Sequence, residues 1–184
     1  MNLRKIQAVI LVAGRGERLR PLTSSTPKPL LPLAGKPLLG RTLGMLERSG
    51  VRRITLVTGY RERQVKKYVH QEFPHLEVKF VRNPAYAKTN TIYSLWMARR
   101  EARGESFVLI DGDLVFEPGS LELVLRTKGN LVLCDAQASL NSEAVKAYGG
   151  GDNRVLRIGK TAEGMMRPLG ESIGLAKIGA GSSR

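Results

Sequence analysis

Cysteine and histidine are scarce: Cys134, His70 and His75 are the full complement in 184 residues. One thiol excludes an internal disulfide, and with two histidines it completes no common zinc ligand set. A disulfide scaffold is excluded, and a reducing, cytoplasmic setting is the expectation. Aromatic residues make up only 5%, and no recognisable RNA- or DNA-binding module or interleaved aromatic patch is present. No apolar run approaches the roughly 20 residues that span a bilayer. Arg4 and Lys5 precede an apolar stretch, as in a signal peptide, but Gly14-Arg15-Gly16-Glu17-Arg18 stands where a small-residue cleavage site would be. The stretch reads as a buried strand.

Acidic residues are the scarcer charge, sixteen against thirty Lys and Arg, for a net charge of +14. Residues 1–67 hold fifteen basic and three acidic residues; the remainder holds fifteen and thirteen. A field of this sign draws nucleotides, phosphorylated metabolites, nucleic acid or anionic membrane, and does not choose among them. The hydrophobic fraction of 42% and charged fraction of 25% are those of a globular protein. The length suggests one domain, taken as 1–178, with 179–184 a disordered tail.

Ala8 to Val12 is a continuous apolar run ending in glycines, as in a strand buried on both faces. Further strands are expected at 54–58, 78–81, 107–110 and 131–134. Leu39, Leu43 and Leu46 mark a helix closed by Gly50, Val65 and Val69 another, and Leu121, Val124 and Leu125 a third. Thr89 or Asn90 caps a further helix, whose Ile92, Leu95 and Trp96 read as a core-facing stripe. Alternating strands and helices predict an α/β fold: a Rossmann-like three-layer sandwich with a mainly parallel, mixed central sheet. After Asp135, short strands at 144–148, 154–159 and 173–178 predict antiparallel additions at the edge.

The loop from Ala13 to Pro37 is too long to be a plain connection. Gly14 and Gly16 follow the first strand directly and let backbone N–H groups approach phosphate oxygens. Leu19 stands at the third glycine of a dinucleotide fingerprint, and Gly35-Lys36 is followed by Pro37 rather than Ser or Thr, so the two common phosphate-loop patterns both fail. Asp111-Gly112-Asp113 closes a buried strand, where open α/β sheets bind ligands. A carboxylate there can hold Mg²⁺ between phosphate oxygens, although Asp-Gly is equally a turn pair.

The longer pattern, Gly14-x-Gly16-x-Arg18-Leu19-x-Pro21-Leu22-Thr23 followed by Pro27-Lys28-Pro29-Leu30, resembles the nucleotidyltransferases that join an NTP to a phosphorylated metabolite. Asn83-Pro84-x-Tyr86-x-x-Thr89-Asn90-Thr91-Ile92-Tyr93-Ser94-Leu95 is similar to a segment of the bacterial phosphocholine and 2-aminoethylphosphonate cytidylyltransferases. The resemblance implies a fold of the nucleotide-diphospho-sugar transferase type. It also implies catalytic Arg18 and Lys28, a metal ligand in Asp113 for Mg²⁺, and a nucleotide site of Val12, Ala13, Gly14, Gly16, Thr58, Gly59, Tyr60, Asn90, Ser94 and Asp111. Acceptor contacts fall on Lys146, Lys160 and Glu171. Arg15 and Arg20 read as rim residues.

The implied reaction uses an NTP, CTP first, and a phosphorylated or phosphonylated small molecule such as phosphocholine, and releases pyrophosphate. Two alternatives stay open: a hexose-1-phosphate nucleotidylyltransferase, and a nucleotide-binding subunit with impaired catalysis. The second is raised by a family feature, a late acidic metal ligand in an E-I-D-type segment, because no acidic residue follows Glu171. The reading expects a missing C-terminal part, with an apolar flank that favours a homodimer.

Overall fold

A computed structural model describes residues 6–150, 152–161 and 166–183. Arg4, Lys5 and the terminal Arg184 lie outside the described residues. The first strand, β1 (Gln7–Val12), runs along the middle of the sheet. The β2 (Pro32–Leu33) and β3 (Lys36–Pro37) pair forms a small hairpin, and α1 (Leu38–Arg48) follows. The chain continues through β4 (Arg53–Thr58), α2 (Glu62–Glu72), β5 (Glu77–Arg82), α3 (Thr91–Met97), α4 (Arg99–Ala102) and β6 (Phe107–Asp111). It ends with α5 (Pro118–Arg126), β7 (Leu131–Asp135), β8 (Lys146–Gly149), β9 (Val155–Gly159) and the long β10 (Arg167–Ile178).

The sheet order is β5-β4-β1-β6-β10-β8-β9, with β7 also paired to β10. The strands β5, β4, β1 and β6 are mutually parallel, and β10 runs antiparallel to β6, β7 and β8. The expected parallel centre and antiparallel edge are thus both present.

Alternation along β1 divides the core. Ala8, Ile10 and Val12 face Leu39, Leu43 and Leu46 of α1, with Val65 and Val69 of α2 and Leu121, Val124 and Leu125 of α5 in the same cluster. Val9 and Leu11 point the other way, toward Ala98, Ala102 and Leu95. Side chains of a strand alternate with period two, so six residues of β1 serve both layers. The three-layer arrangement follows.

Two expectations are corrected. Of the stripe on α3 only Leu95 packs on the core: Ile92 is 73% exposed and Trp96 50%, with the Arg99 guanidinium 3.7 Å from the Trp96 ring centroid. α3 has seven residues and turns Ser94 and Leu95 inward. The tail is also tied down through residue 183. Gly179 N–H donates to Asn130 Oδ1, Ala180 N–H to Ser106 Oγ, and Ser183 Oγ to the Glu105 carbonyl.

Candidate active site

The carboxyl ends of β1 and β6 lie side by side, with Leu11 opposite Asp111 in the parallel register. Residues 13–16 leave β1, and residues 112–113 leave β6, on the same edge of the sheet. Such strand ends are where open α/β sheets hold ligands. A cavity of about 440 Å³ opens here, walled by Leu11 to Gly14, Gly16, Arg18, Lys28, Pro29, Tyr86, Thr89 to Thr91, Ser94 and Asp111 to Asp113.

The long loop is built from three short 3-10 turns, at Glu17–Leu19, Leu22–Ser24 and Lys28–Leu30. Gly16 is their pivot. Its φ is +64°, and a Cβ there would stand 3.0 Å from Lys28 Cβ and 3.0 Å from Thr23 Cγ2. Its carbonyl accepts from Thr23 Oγ1 at 2.9 Å. The left-handed backbone and the missing side chain together bring Lys28 against the Gly14–Gly16 turn. Lys28 then reaches Asp113, with which it forms an ion pair.

Asp111 sits deeper than Asp113. Burial is the main force holding its carboxyl up from 3.8 to about 6; the neighbouring Asp113 charge adds to the rise and Lys28 partly offsets it. Two carboxylates near enough to feel each other's charge at a strand end, the inner one poorly hydrated, suit a hard divalent cation that shares oxygen ligands with phosphates. The donor chemistry of Asp111 and Asp113 therefore fits Mg²⁺. Among the described residues, no group of three or more His, Cys, Asp or Glu side chains is gathered. A cation held here would need phosphate oxygens or water to complete its shell.

The opposite wall is organised by Asn83, fully buried. Its Nδ2 donates to Thr89 Oγ1 at 3.0 Å and Ser94 Oγ at 3.1 Å, and its Oδ1 accepts from Ala85 N–H at 3.0 Å. Asn90 caps α3 by accepting from Tyr93 N–H at 3.1 Å. Val12, Ala13, Gly14, Gly16, Arg18, Lys28, Asn90, Ser94, Asp111 and Asp113 thus all meet in one cavity wall.

Thr58, Gly59 and Tyr60 are not in that wall. Thr58 Oγ1 donates to Glu62 and Tyr60 Oη to the carbonyls of Thr23 and Ser24. A Cβ on Gly59 would lie 2.7 Å from Tyr86 Cβ and 2.8 Å from the Ala13 carbonyl oxygen. Gly59 therefore lets Tyr86 pack against the end of β1. Lys146, Lys160 and Glu171 also lie outside the wall, on the antiparallel edge. Lys146 Nζ donates to the Asn141 and Lys160 carbonyls, and Lys160 pairs with Glu143 at 2.8 Å. Lys160 is the main cause of the lowered Glu143 pKa, and Arg18 contributes.

Sequence reasoning missed Leu11, Tyr86, Thr89, Thr91, Pro29 and Gly112 as wall residues. Tyr86, Thr89 and Thr91 belong to the segment singled out from residue 83 to 95, and Pro29 and Gly112 to the two flanking motifs, while Leu11 lies near the end of the first strand and carried no motif signal.

A glycine-hinged cationic loop facing two strand-end carboxylates, on a parallel sheet with an antiparallel edge, defines a nucleotidyltransferase-type α/β domain. Residues 8–143 match the MobA-like NTP transferase domain, and the chain belongs to that family. A CMP-5'-(3-aminopropyl)phosphonate synthase of Streptomyces rubellomurinus is 40% identical over 64% of this chain and 18% of its own length. A 2-aminoethylphosphonate cytidylyltransferase of Lancefieldella rimae is 35% identical over 62% of this chain and 45% of its own. The chain thus spans less than half the length of these relatives.

Among solved structures, the inositol-1-phosphate CTP transferase of T. maritima superposes with a TM-score of 0.78 at 23% identity, covering 96% of this chain and 71% of that one. The CTP:phosphocholine cytidylyltransferase of Streptococcus pneumoniae gives 0.69 at 25%, covering 97% and 73%. The fold is that of the nucleotide-diphospho-sugar transferase type.

Proposed function

We propose that this chain carries cytidylyltransferase chemistry: CTP and an aminoalkylphosphonate, or a related phosphorylated amine, give a CMP-linked product and pyrophosphate. The observation that carries the reading is the single cavity in which Gly14, Gly16, Arg18 and Lys28 face Asp111 and Asp113. The cytidylyl relatives at 35–40% identity favour an aminoalkylphosphonate over phosphocholine as acceptor.

In this reading an oxygen of the acceptor attacks the α-phosphorus of CTP. A P–O bond forms, the bond to the β-phosphate bridging oxygen breaks, and pyrophosphate leaves with the electron pair. A phosphate monoester has its second pKa at about 6, so an acceptor of that kind is already ionised near neutrality. No general base is required, in keeping with a cavity wall that holds no histidine. Lys28 supplies a mobile point charge and Arg18 a planar fork to the phosphate oxygens as charge moves onto them. The glycine loop lets the phosphate chain approach the backbone, and the Asn83-braced wall orients the nucleotide. Asp111 and Asp113 would hold Mg²⁺, which when bound neutralises triphosphate charge.

The competing reading is a nucleotide-binding domain with impaired turnover, favoured by the absence of a third carboxylate near the pair among the described residues. Pyrophosphate release separates the two. The assay pairs each of the four NTPs with 2-aminoethylphosphonate, 3-aminopropylphosphonate, phosphocholine, inositol-1-phosphate and glucose-1-phosphate, with Asp113→Asn as control. Release with CTP and an aminophosphonate, lost in the control, supports the proposal. Tight CTP binding with no release from any pair supports the competitor.

A further inference from the structure

We infer that Gly174 is a positioning residue for Asp111: the side chain it lacks leaves the space the Asp111 carboxylate fills. Leu175 of β10 pairs with Ile110 of β6 in antiparallel register, and both are fully buried. Gly174 therefore falls beside Asp111. A Cβ on Gly174 would stand 2.5 Å from Asp111 Oδ2 and 3.0 Å from both its Cβ and Cγ. Real side-chain carbons do not approach so closely, so the carboxylate would have to move.

The Asp111 backbone is fixed, so the carboxylate can yield only toward the cavity it lines. On its other flank β6 pairs with β1, and the Gly112 N–H donates to the Leu11 carbonyl at 3.0 Å. A Cβ on Gly112 would in turn collide with Val12 Cγ1. The end of β6 thus lies tight against β1 through Gly112, and the bare Gly174 of β10 flanks Asp111 on the other side. The register of β10 against β7 also shifts between Ser172 and Ala176, around Gly174. Such irregularities re-aim side chains next to sites.

A left-handed backbone alone does not account for Gly174. Its φ is +79°, but Gly129 has +76° with nothing within 4 Å of where a Cβ would lie. Gly129→Ala therefore reports backbone strain only, and Gly174→Ala reports strain together with the collision. The role assigned to Gly174 rests on the reading of Asp111 as a group that faces the cation and the phosphates. The packing relation stands apart from it.

The test is a double-mutant cycle with two readouts. Thermal midpoints are measured for wild type, Gly129→Ala, Gly174→Ala, Asp111→Ala and Asp111→Ala/Gly174→Ala. Mn²⁺ binding in the presence of CTP is followed by electron paramagnetic resonance. Gly174→Ala should lower the midpoint more than Gly129→Ala does, and the double variant should recover part of that excess. Mn²⁺ affinity should fall about tenfold or more in Gly174→Ala and stay at the wild-type level in Gly129→Ala. If Gly174→Ala does not fold, a double variant that folds supports the inference and one that does not overturns it. Equal midpoints for Gly174→Ala and Gly129→Ala with no coupling to Asp111 would overturn the packing relation. Coupled midpoints with Mn²⁺ affinity unchanged in Asp111→Ala would overturn the cation reading of Asp111, and with it the positioning role.

Discussion

Lys28 and Asp113, 85 positions apart in sequence, form an ion pair across the cleft. The phosphate loop thereby neutralises the outer carboxylate of the pair at the end of β6. A free dication must compete with the Lys28 ammonium for Asp113, whereas a dication arriving on a triphosphate brings anionic oxygens that draw Lys28 away. Free Mn²⁺ should therefore bind weakly to the protein, and Lys28→Met should tighten it by several-fold while lowering CTP affinity. Titration followed by electron paramagnetic resonance measures both; weaker free-Mn²⁺ binding in Lys28→Met would contradict the competition.

Arg18 is exposed and Lys28 partly so, so neither side chain carries much of the folding free energy. Arg18→Ala and Lys28→Ala should each lower turnover by about 10²–10³-fold, the scale of losing one charge-stabilising group. Their thermal midpoints should stay within a few degrees of wild type. Parallel loss of activity and stability would assign them structural work instead.

Burial and the Asp113 charge raise the Asp111 carboxyl from 3.8 to about 6. A raised acid binds its proton more tightly folded than unfolded, so its stabilisation is full below about pH 3.8 and is lost as pH climbs through about 6. Asp111→Asn removes that loss. Relative to wild type, the unliganded variant should gain stability between pH 4 and 6 and hold a constant advantage above. Urea midpoints at intervals from pH 4 to 8 provide the check, and a difference that does not vary with pH would contradict it.

Asn83 fastens three groups of the cavity wall at once. Asn83→Ala leaves the Ala85 N–H unpaired and removes the donor to Thr89 and Ser94, at a cost of about 3 kcal/mol. Urea unfolding measures the loss. CTP affinity should fall in parallel, because Thr89, Asn90 and Ser94 lose their brace. A loss under about 1 kcal/mol would show the wall to be held by other contacts.

The strands and helices of the parallel half were legible because each has its own hydrophobic period, as Leu39, Leu43 and Leu46 or Ala8 to Val12 show. The loop from Gly14 to Lys28 was legible through the resemblance of its motif to the nucleotidyltransferases, since neither common phosphate-loop spacing fits it. What was hidden depends on partners far along the chain. Trp96 reads as core by helical spacing, yet Asn83 draws Ser94 inward and leaves Trp96 turned to solvent. Gly59 reads as a nucleotide contact, and the packing of Tyr86 that its bareness permits was not visible in the sequence. Gly174 falls in the short strand expected at 173–178, and only the β6–β10 register sets it against Asp111.

The most direct test of the central claim is ³¹P NMR of the protein incubated with CTP, Mg²⁺ and 2-aminoethylphosphonate. The account predicts that the phosphonate resonance shifts and splits by coupling to the α-phosphorus of CMP, as free pyrophosphate appears in equal amount. An unchanged phosphonate resonance beside intact CTP, with CTP shown to be bound, would contradict it.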